Sequence, residues 1–516
     1  MRLGIDLGTS RTVVVAADRG NYPVVQFRDK NDLWYPWYPS LICRERNELH
    51  YGFDAEKIWN EPSVFGLPSF KRLLGVTPPH QEVVLGGVDS VPLLDLLVGF
   101  CTGLQNALIQ TSNLMPEEAR LEVMIAVPAN ANSNQRYLTS EAFQRAGFSV
   151  LGMVNEPSAA GIEYTHQYLK LSRKKSQREY LVVYDWGAGT FDAAVIRIAD
   201  LSHEVLANQG ISRLGGDDLD ETMLSLALHT SGLTRPASTY EQAMLLRECR
   251  EAKERLRPQS KKIMLDFSMV YPDSEIISLP VAEYYKHTQP LVARTLEAME
   301  QIMLDIVDGE LSLQERQLKN LAAIYLVGGS SNFPQIEWCI REQYGRRIQK
   351  SSYPYASTAI GLAILADPHS GFELREKVSR HFGVWREGQS GGDKIFDLIF
   401  PKDRLQQNRG EMVRVVRSYR PSHNIGHFRF LECSSLDKDG QPQGNITVWE
   451  EIFFPFDSTQ KERRRFSTEE VIRHEQYQSS LIEEVYICDA NGIIQVEIIN
   501  RTAGYGQIFA LRPVTD

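Results

Sequence analysis

The stretch VVYDWGAGTFDAAVI, Val182 to Ile196, places two acidic residues, Asp185 and Asp192, in an otherwise apolar run. The turn between them is built of small residues, Gly187, Ala188, Gly189 and Thr190. This pattern predicts two apolar strands joined by a tight turn. Successive side chains of a strand point to opposite faces, so if Asp185 faces a cleft, its neighbour Trp186 packs into the core.

The same design occurs once more, about 180 residues earlier in the chain. The stretch MRLGIDLGTSRTVVVAA runs from an apolar strand through Asp6 into a turn made of Gly8, Thr9 and Ser10, and then into a second apolar strand. Two copies of strand, aspartate, turn and strand indicate an internal duplication. Two further small-residue turns follow, one with Gly215 and Gly216 and one with Gly328, Gly329 and Ser330.

Turns without bulky side chains let backbone N–H groups approach a ligand closely. Two such turns that face each other form a clamp for the phosphates of a nucleotide. Asp6 and Asp185, each near a strand end, suit the water shell of Mg²⁺. A single glycine turn is more often only a turn, but four of them, two with matched aspartates, favour a nucleotide site. The chain has no GxxxxGK[ST] loop, and no GxGxxG opens a helix after the first strand.

Composition limits the class of protein. A chain of 516 residues is too long for one core, so two or three domains are expected. The net charge of −10 argues against a general nucleic-acid binder. The six cysteines show no metal-ligand spacing and are interpreted as buried reduced thiols. The N-terminus lacks the pattern of a signal peptide. The pattern of 91–109 predicts an amphipathic core helix rather than a membrane span. A cytoplasmic protein with no membrane segment is therefore predicted.

The pattern along the chain changes near residue 367. Before it, helical spacing predicts helices at 134–148, 154–171 (starting after Pro157), 240–258, 290–307 and 357–367. After it, short alternating apolar runs separated by turn residues predict an all-β domain of seven or eight strands. The charged segment 458–478, with its basic run 461–465, is interpreted as a solvated loop or short helix. The predicted domains are 1–367 and 383–516, joined by a linker at 368–382.

In these motifs the chain resembles the actin-like ATPase superfamily and, within it, the seventy-kilodalton heat-shock chaperone family. GIDLGTS and YDWGAGTFDAAVI resemble its two phosphate motifs, and YLVGGSSNFPQI resembles its adenosine motif. FKRLLG, AVPANANSNQR and VNEPSAAGIEY resemble its lysine, proline-switch and connecting-helix segments. Residues 381–407 and 483–511 resemble, more weakly, the opening and closing strands of its peptide-binding β-sandwich. The resemblance implies an α/β fold, with a duplicated actin-like (ribonuclease-H-like) ATPase domain followed by a β-sandwich-like domain.

The resemblance also implies residue roles around ATP or ADP, Mg²⁺ and K⁺. Lys71 would lie beside the γ-phosphate and the attacking water, and Asp185 would orient that water. Asp6 would anchor the metal shell, while Asp192 and Thr190 would help to hold K⁺. Glu156 would sense the γ-phosphate and pass the change to Pro128 and Arg136. Nucleotide contacts are expected from the four turns, namely Gly8, Thr9, Ser10, Gly187, Ala188, Gly189, Thr190, Gly215, Gly216, Gly328, Gly329 and Ser330, and from Lys253 and Arg257.

Departures from the family pattern affect the base and the second domain. Glu254 stands where the family often has an arginine or an apolar residue, Asn332 replaces a common arginine, and Arg257 replaces a usual serine. The base is therefore expected to stack differently, against Arg257. The linker is weakly apolar, and the sequence ends at Asp516 without a helical lid, which leads us to expect a lidless β domain. Our expectation for its cleft is Ile395, Phe396 and Leu398.

Three functions remain open at this point. The first is a slow ATPase of the chaperone type that couples nucleotide state to binding of apolar polypeptide segments, with a J-domain co-chaperone and a nucleotide-exchange factor as implied partners. The second is an ATP-switched scaffold dedicated to one folded protein partner. A small-molecule kinase of the same superfamily would need a catalytic acid facing a hydroxyl substrate and a pocket-forming insertion, and the β domain offers neither.

Overall fold

The computed structural model describes residues 1–516 except 60, 62–63, 86–89, 115–119, 169–179, 305–319, 346, 377, 379, 389–393, 403–411, 464 and 511–516. The described residues form two compact units. The first comprises Met1–Leu73, Glu82–Asn130 and Ser140–Leu374, and the second comprises Leu74–Gln81, Ala131–Thr139 and Arg375–Asp516. The division at 374 falls inside the predicted linker, whose residues 377 and 379 lie outside the described residues.

Two main sheets organise the first unit, and they share a pattern of strand directions. In each sheet a strand that carries an aspartate near its end pairs antiparallel with the strand after the turn and parallel with a later strand. The five-stranded sheet has the order Ser149–Asn155, Glu122–Val127, Arg2–Leu7, Arg11–Ala16, Tyr38–Pro39. The six-stranded sheet has the order Ile348–Lys350, Leu321–Val327, Tyr180–Trp186, Thr190–Ala199, Ser202–Ser212, Glu373–Arg375.

Smaller sheets complete the strands of the first unit. They consist of Phe27–Arg28 with Trp34–Tyr35; Glu48–Tyr51, Leu41–Glu45 and Val64–Pro68; Glu82–Val84 with Ser90–Pro92; and Lys262–Leu265 with Ile277–Pro280. The α-helices along the chain are Phe53–Ile58, Leu93–Gln110, Ser133–Arg145, Glu156–Tyr168, Gly216–Ser231, Thr239–Glu254, Val281–Leu304, Pro334–Tyr344 and Ser357–Ala366.

Most predicted helices are confirmed, with two differences at their starts. The helix predicted to begin after Pro157 begins at Glu156, with the proline in its first turn, where the missing N–H costs nothing. The helix predicted to begin at Pro290 begins at Val281 and contains that proline in its interior. Residues 169–171 and 305–307, the ends predicted for these two helices, lie outside the described residues.

The helix Leu93–Gln110 is the one described helix that is long and apolar enough, by length and composition, to cross a membrane. Leu96, Phe100 and Leu104 are fully buried within the first unit, which is the pattern of a core helix. The prediction of an amphipathic core helix at this place is therefore confirmed. Of the six cysteines, none is paired, five are buried and Cys339 is half-buried.

The second unit is built mainly of two antiparallel sheets around one core. One has the order Lys394–Phe400, His381–Glu387, Ile425–Leu436, Pro442–Val448, with Ile452–Pro455 also paired to the long third strand. The other has the order Val413–Tyr419, Ile482–Cys488, Ile494–Asn500, Tyr505–Ala510. Phe382 and Phe430 of the first sheet and Tyr486 and Val496 of the second are buried together.

These are nine strands in the described part of the second unit, against seven or eight predicted. The difference arises because the apolar run NITVWEEIFF forms two strands that end and begin on either side of its Trp-Glu-Glu segment. The charged segment 458–478 contains three short 3₁₀ turns, Ser458–Gln460, Thr468–Glu470 and Glu475–Ser479, and no α-helix or strand among its described residues.

Candidate nucleotide site

The first two predicted turns contact each other in the first unit. Gly187 donates its backbone N–H to the carbonyl of Thr190 at 3.0 Å, which closes the second turn. A Cβ on Gly189 would lie 2.4 Å from Thr9 Oγ1, so the two turns meet where only glycine fits. The sequence predicted the turns separately, and the structure places them against each other as a clamp requires.

The third and fourth turns pack against the second. Gly216 and Asp217 donate their N–H groups to the carbonyls of Gly187 and Ala188 at 3.0 and 2.9 Å. Ser330 donates its hydroxyl to the carbonyl of Gly187 at 2.8 Å. These bonds fasten the start of helix Gly216–Ser231 and the turn 328–330 onto one small loop. All four predicted turns therefore line one region of the first unit.

Gly328 and Gly329 differ in what a side chain would meet. Gly328 has φ +80°, and a Cβ there would lie 2.5 Å from Asp185 Oδ1, so the position requires glycine. A Cβ on Gly329 would meet nothing within 4 Å, so its backbone borders open space. The turn thus supports the Asp185 carboxylate on one side and leaves room for a ligand on the other.

The acids of the two phosphate turns are buried and crowded. Asp185 lies opposite Asp192 in the antiparallel strand pair, and both are less than one-tenth exposed. Burial, followed by the charges of Glu156 and the other aspartates, raises the pKa of Asp185 well above its ordinary value. Burial and Glu156 likewise raise the pKa of Asp6 and of Asp192 to about 7. Carboxyls crowded in this way favour uptake of a proton or of a neighbouring cation, because either one relieves the repulsion between their negative charges.

Lys71 supplies one of those cations. It is 6% exposed, and its Nζ donates a hydrogen bond to Glu156 Oε1. Burial opposes its charge, but Glu156 and Asp6 raise the pKa of the ammonium above the ordinary value. The single charge of Lys71 does not balance the four carboxyls of Asp6, Glu156, Asp185 and Asp192. The site therefore fits a bound divalent cation. Among the described residues no cluster of three His, Cys, Asp or Glu side chains that could hold a metal ion is found.

A pocket of about 810 Å³ lies beside the fourth turn. Its lining includes the predicted contacts Lys253, Arg257, Gly329 and Ser330, together with Glu254 and Asn332. Lys253 Nζ donates to the carbonyl of Gly216 at 2.7 Å and pairs with Asp220 at 2.6 Å. Arg257 Nη1 donates to the carbonyl of Leu256 at 2.8 Å, which holds the guanidinium at the end of its helix. The pocket has the place and the groups that a base and a sugar require.

Comparison with known proteins decides the family. The family model described as Hsp70 protein matches residues 107–379. A chaperone protein HscA homolog of Acinetobacter baylyi is 30% identical over 392 residues, which covers 71% of this chain and 57% of the relative. The chain belongs to the Hsp70 family. The resemblance inferred from the motifs is thereby confirmed, and the mixed α/β first unit and the mainly β second unit accord with it.

Other HscA homologs give the same picture. The homolog of Methylibium petroleiphilum is 30% identical over 387 residues, covering 72% of this chain and 58% of the relative. That of Colwellia psychrerythraea is 28% identical over 377 residues, covering 70% and 58%. The chain thus spans about 58% of the length of the curated Hsp70-family relatives that it matches.

Sequence reasoning missed three side chains of this Hsp70-family site. Arg72 Nη2 donates to the carbonyl of Gly189 at 3.1 Å and to Asp218 Oδ2 at 2.8 Å. Trp338 lines the 810 Å³ pocket, and its side chain is 64% exposed. Arg11 lines the same pocket. The neighbouring Lys71 could have directed attention to Arg72. A large aromatic residue on the polar face of a helix was the available signal for Trp338.

Arg11 forms an ion pair across the first unit. Its Nη2 lies 3.3 Å from Glu254 Oε1, and its guanidinium stacks 4.4 Å above the ring of Trp37. The pair joins the strand after the first phosphate turn to the end of helix Thr239–Glu254. Both side chains line the 810 Å³ pocket and also a second pocket of about 500 Å³ beside it. The pair therefore stands at the boundary between the two pockets.

The predicted relay residues are placed in different settings. Ala129, next to Pro128, donates its N–H to Asp192 Oδ1 at 2.8 Å within the first unit. Glu156 accepts from Lys71 there. Arg136 belongs to the second unit, where its Nη1 donates to the carbonyl of Asn491 at 3.1 Å. The relay itself stays a prediction.

Trp186 is fully buried, and its indole Nε1 donates to the carbonyl of Leu214 at 3.1 Å. The prediction that it packs in the core is confirmed. The indole also ties the strand below the second phosphate turn to the segment that leads into the third.

Proposed function

We propose that the first unit binds ATP or ADP with Mg²⁺ and hydrolyses ATP slowly, and that the nucleotide state controls binding of polypeptide segments by the second unit. The single observation that carries the proposal is the convergence of four small-residue turns beside Lys71 and the buried aspartates. We further propose that the predicted ranges 1–367 and 383–516 correspond to a duplicated actin-like ATPase domain and a β-sandwich domain.

The chemistry follows from the charges. Phosphoryl transfer to water depends mainly on positioning and charge neutralisation. Asp185 orients the attacking water, and Lys71, held by Glu156, neutralises charge that develops on the transferred phosphoryl group. Mg²⁺, when bound at Asp6 and Asp185 through water, supplies further neutralisation of the phosphates, and K⁺ is proposed near Asp192 and Thr190. Backbone N–H groups of the turns hold the remaining phosphate oxygens.

Single-turnover hydrolysis of ATP by the full chain tests the proposal. Lys71→Ala and Asp185→Asn are expected to lower the rate by about 100-fold or more while nucleotide binding largely remains. Lys262→Ala, at an exposed lysine outside the site, is the matched control and should leave the rate unchanged. Equal rates in all four proteins would remove the catalytic assignment.

Binding of an unfolded model peptide, measured with ATP and with ADP, tests the second half. A nucleotide-dependent affinity supports the chaperone type of function. Hydrolysis without any peptide binding, together with capture of one folded partner in defined stoichiometry, would favour the alternative of an ATP-switched scaffold. A J-domain co-chaperone and an exchange factor remain predictions from the family resemblance, and a cytoplasmic location remains a prediction from the sequence pattern.

A further inference from the structure

The second unit has a pocket of its own, whose chemistry differs from that of the two pockets of the first unit. Its volume is about 650 Å³, and all of its lining belongs to that unit. The lining is rich in cations and aromatic rings, among them Trp385, Lys394, Arg417, Tyr419, Arg420 and Arg429. The predicted cleft residues Ile395, Phe396 and Leu398 are not among its lining residues, and Phe396 instead packs with Leu431 and Cys433.

Two of the arginines are neutralised by the protein itself. Arg386 Nε lies 2.8 Å from Asp397 Oδ2, and its Nη2 lies 2.7 Å from Glu484 Oε2, on a fully buried side chain. Arg417 Nη2 lies 3.1 Å from the other oxygen of Asp397. These pairs balance the charges of the two arginines within the protein.

Three other cations of the pocket are not neutralised. Lys394, Arg420 and Arg429 have no carboxylate within 4.0 Å among the described residues. Arg420 Nη1 donates to the carbonyl of Gln478 at 2.9 Å, and this bond fixes the side chain without cancelling its charge. The Nε of Arg429 is buried and has no hydrogen-bond partner in the described structure. A guanidinium is matched best by a carboxylate, and no carboxylate of the described residues is paired with that of Arg429.

Glu387, the acidic residue in the lining of the pocket, is already paired within the protein. Glu387 Oε1 lies 3.2 Å from Arg473 Nη1, and its other oxygen lies 3.3 Å from His423 Nε2. It therefore does not cancel the three free cations. The rings of Trp385 and Tyr419 add faces against which an apolar or aromatic side chain can pack.

We propose that this pocket binds an acidic polypeptide segment, with Asp or Glu side chains directed at Lys394, Arg420 and Arg429 and one aromatic side chain packed beside Trp385. The inference rests on the proposed function in one respect, namely that the second unit binds polypeptides. A nucleic acid is disfavoured because the whole chain carries a net charge of −10, which repels a long polyanion. The pocket selects for acidic rather than purely apolar segments.

Fluorescence anisotropy with the full chain and three labelled peptides tests the proposal. The acidic peptide GSEDWDEGS should bind about tenfold or more tightly than its amide counterpart GSQNWNQGS and than the apolar GSLVWVLGS. Raising the salt concentration should weaken only the acidic peptide, since the attraction is between charges. Equal binding of the acidic and amide peptides, or preference for the apolar one, would overturn the proposal.

Variants locate the binding. Arg429→Gln and Lys394→Gln should each weaken the acidic peptide several-fold, whereas Arg414→Gln should not. Arg414 is an exposed residue of the strand Val413–Tyr419 and does not line the pocket. Lys394 is exposed, so its variant keeps the test valid if Arg429→Gln misfolds. Identical binding by Lys394→Gln and Arg414→Gln, or displacement of the peptide by single-stranded DNA at lower concentration than by unlabelled peptide, would contradict it.

ATP hydrolysis measured on the same preparations separates this inference from the proposed function. Intact hydrolysis with no preference for the acidic peptide overturns only the pocket assignment. Selective binding of the acidic peptide with no hydrolysis overturns the ATPase proposal and leaves the pocket assignment standing.

Discussion

Asp185 and Asp192 lie directly opposite each other in the antiparallel pair formed by the strands Tyr180–Trp186 and Thr190–Ala199. Like charges at such positions are unfavourable, and both side chains are buried. The two carboxylates have different neighbours. The Gly328 turn lies close against Asp185, and Asp192 accepts the N–H of Ala129, which follows the strand Glu122–Val127 of the other sheet. The two acids of the opening stretch are therefore not interchangeable.

Replacing Asp192 tests its structural task. Asp192→Ala leaves the buried N–H of Ala129 without an acceptor, which costs about 1–3 kcal/mol. Asp192→Asn keeps an oxygen in the same place, so it should be more stable than the alanine variant by about 1 kcal/mol. Urea unfolding of the nucleotide-free proteins measures the difference. Equal free energies of unfolding for the two variants would show that the bond from Ala129 contributes nothing.

Gly187 and Gly189 belong to the same turn but differ in the space around them, so alanine substitutions at the two positions can be compared directly. A Cβ on Gly189 would lie 2.4 Å from Thr9 Oγ1 and 2.8 Å from Thr9 Cγ2, whereas one on Gly187 would meet no atom closer than 3.7 Å. Gly189→Ala should therefore destabilise the protein by about 1–3 kcal/mol through overpacking, and Gly187→Ala should cost less than about 1 kcal/mol. Thermal unfolding without nucleotide provides the measurement, and a larger loss at Gly187 would contradict the packing of the two turns.

The sequence could predict the four turns because glycines and small residues between apolar strands are a local signal. Local pattern could not show that residues as distant as Thr9 and Gly189 touch, although the four turns and the matched aspartates already favoured one nucleotide site. Arg72 and Trp338 were missed because their roles depend on packing between distant segments. Pro290 misled the helix assignment because proline is favoured at helix starts as well as tolerated, at a cost, inside long helices.

The second unit was less predictable for a related reason. Alternation in KIFDLIF identifies a strand and its two faces, but it does not tell which face borders a pocket. Phe396 packs into a small core with Leu431, while Ile395 is exposed. The charged pocket depends on Arg420, which directly follows the strand Val413–Tyr419, and on Arg429, which lies on a different strand from Lys394. Such a cluster exists only after the strands have paired.

The ion pair between Arg11 and Glu254 should slow nucleotide release. Both side chains are more than one-third exposed, so the pair is worth at most about 1 kcal/mol, which corresponds to an exchange rate two- to fivefold faster when it is removed. Stopped-flow release of a fluorescent ADP from Glu254→Gln measures this effect. Glu251→Gln is the matched control, because Glu251 pairs with Arg247 and Arg255 of its own helix region. If ADP leaves both variants at the same rate, the ion pair does not slow nucleotide release.

Glu163 should make the stability of the protein depend on pH. It is fully buried in the first unit and accepts a hydrogen bond from the hydroxyl of Tyr325, and its Oε1 has no hydrogen-bond partner among the described residues. Burial raises the pKa of its carboxyl to about 7, although the bond from Tyr325 acts in the opposite direction. The folded protein therefore holds a proton that the unfolded chain releases at lower pH. Stability from this group is complete below the unfolded pKa and is lost as the pH rises through about 7.

Glu163→Gln keeps the shape and an acceptor for Tyr325 but cannot ionise. At about pH 5 it should be close to the parent protein in stability, whereas at about pH 8 it should be more stable by roughly 1–3 kcal/mol, because it avoids burying a charge. Urea unfolding at both pH values measures the two differences. Glu204→Gln is the control, since Glu204 is only partly buried and pairs with Arg197 near the surface. A gain for Glu163→Gln that is the same at both pH values would show that its carboxyl does not titrate in this range.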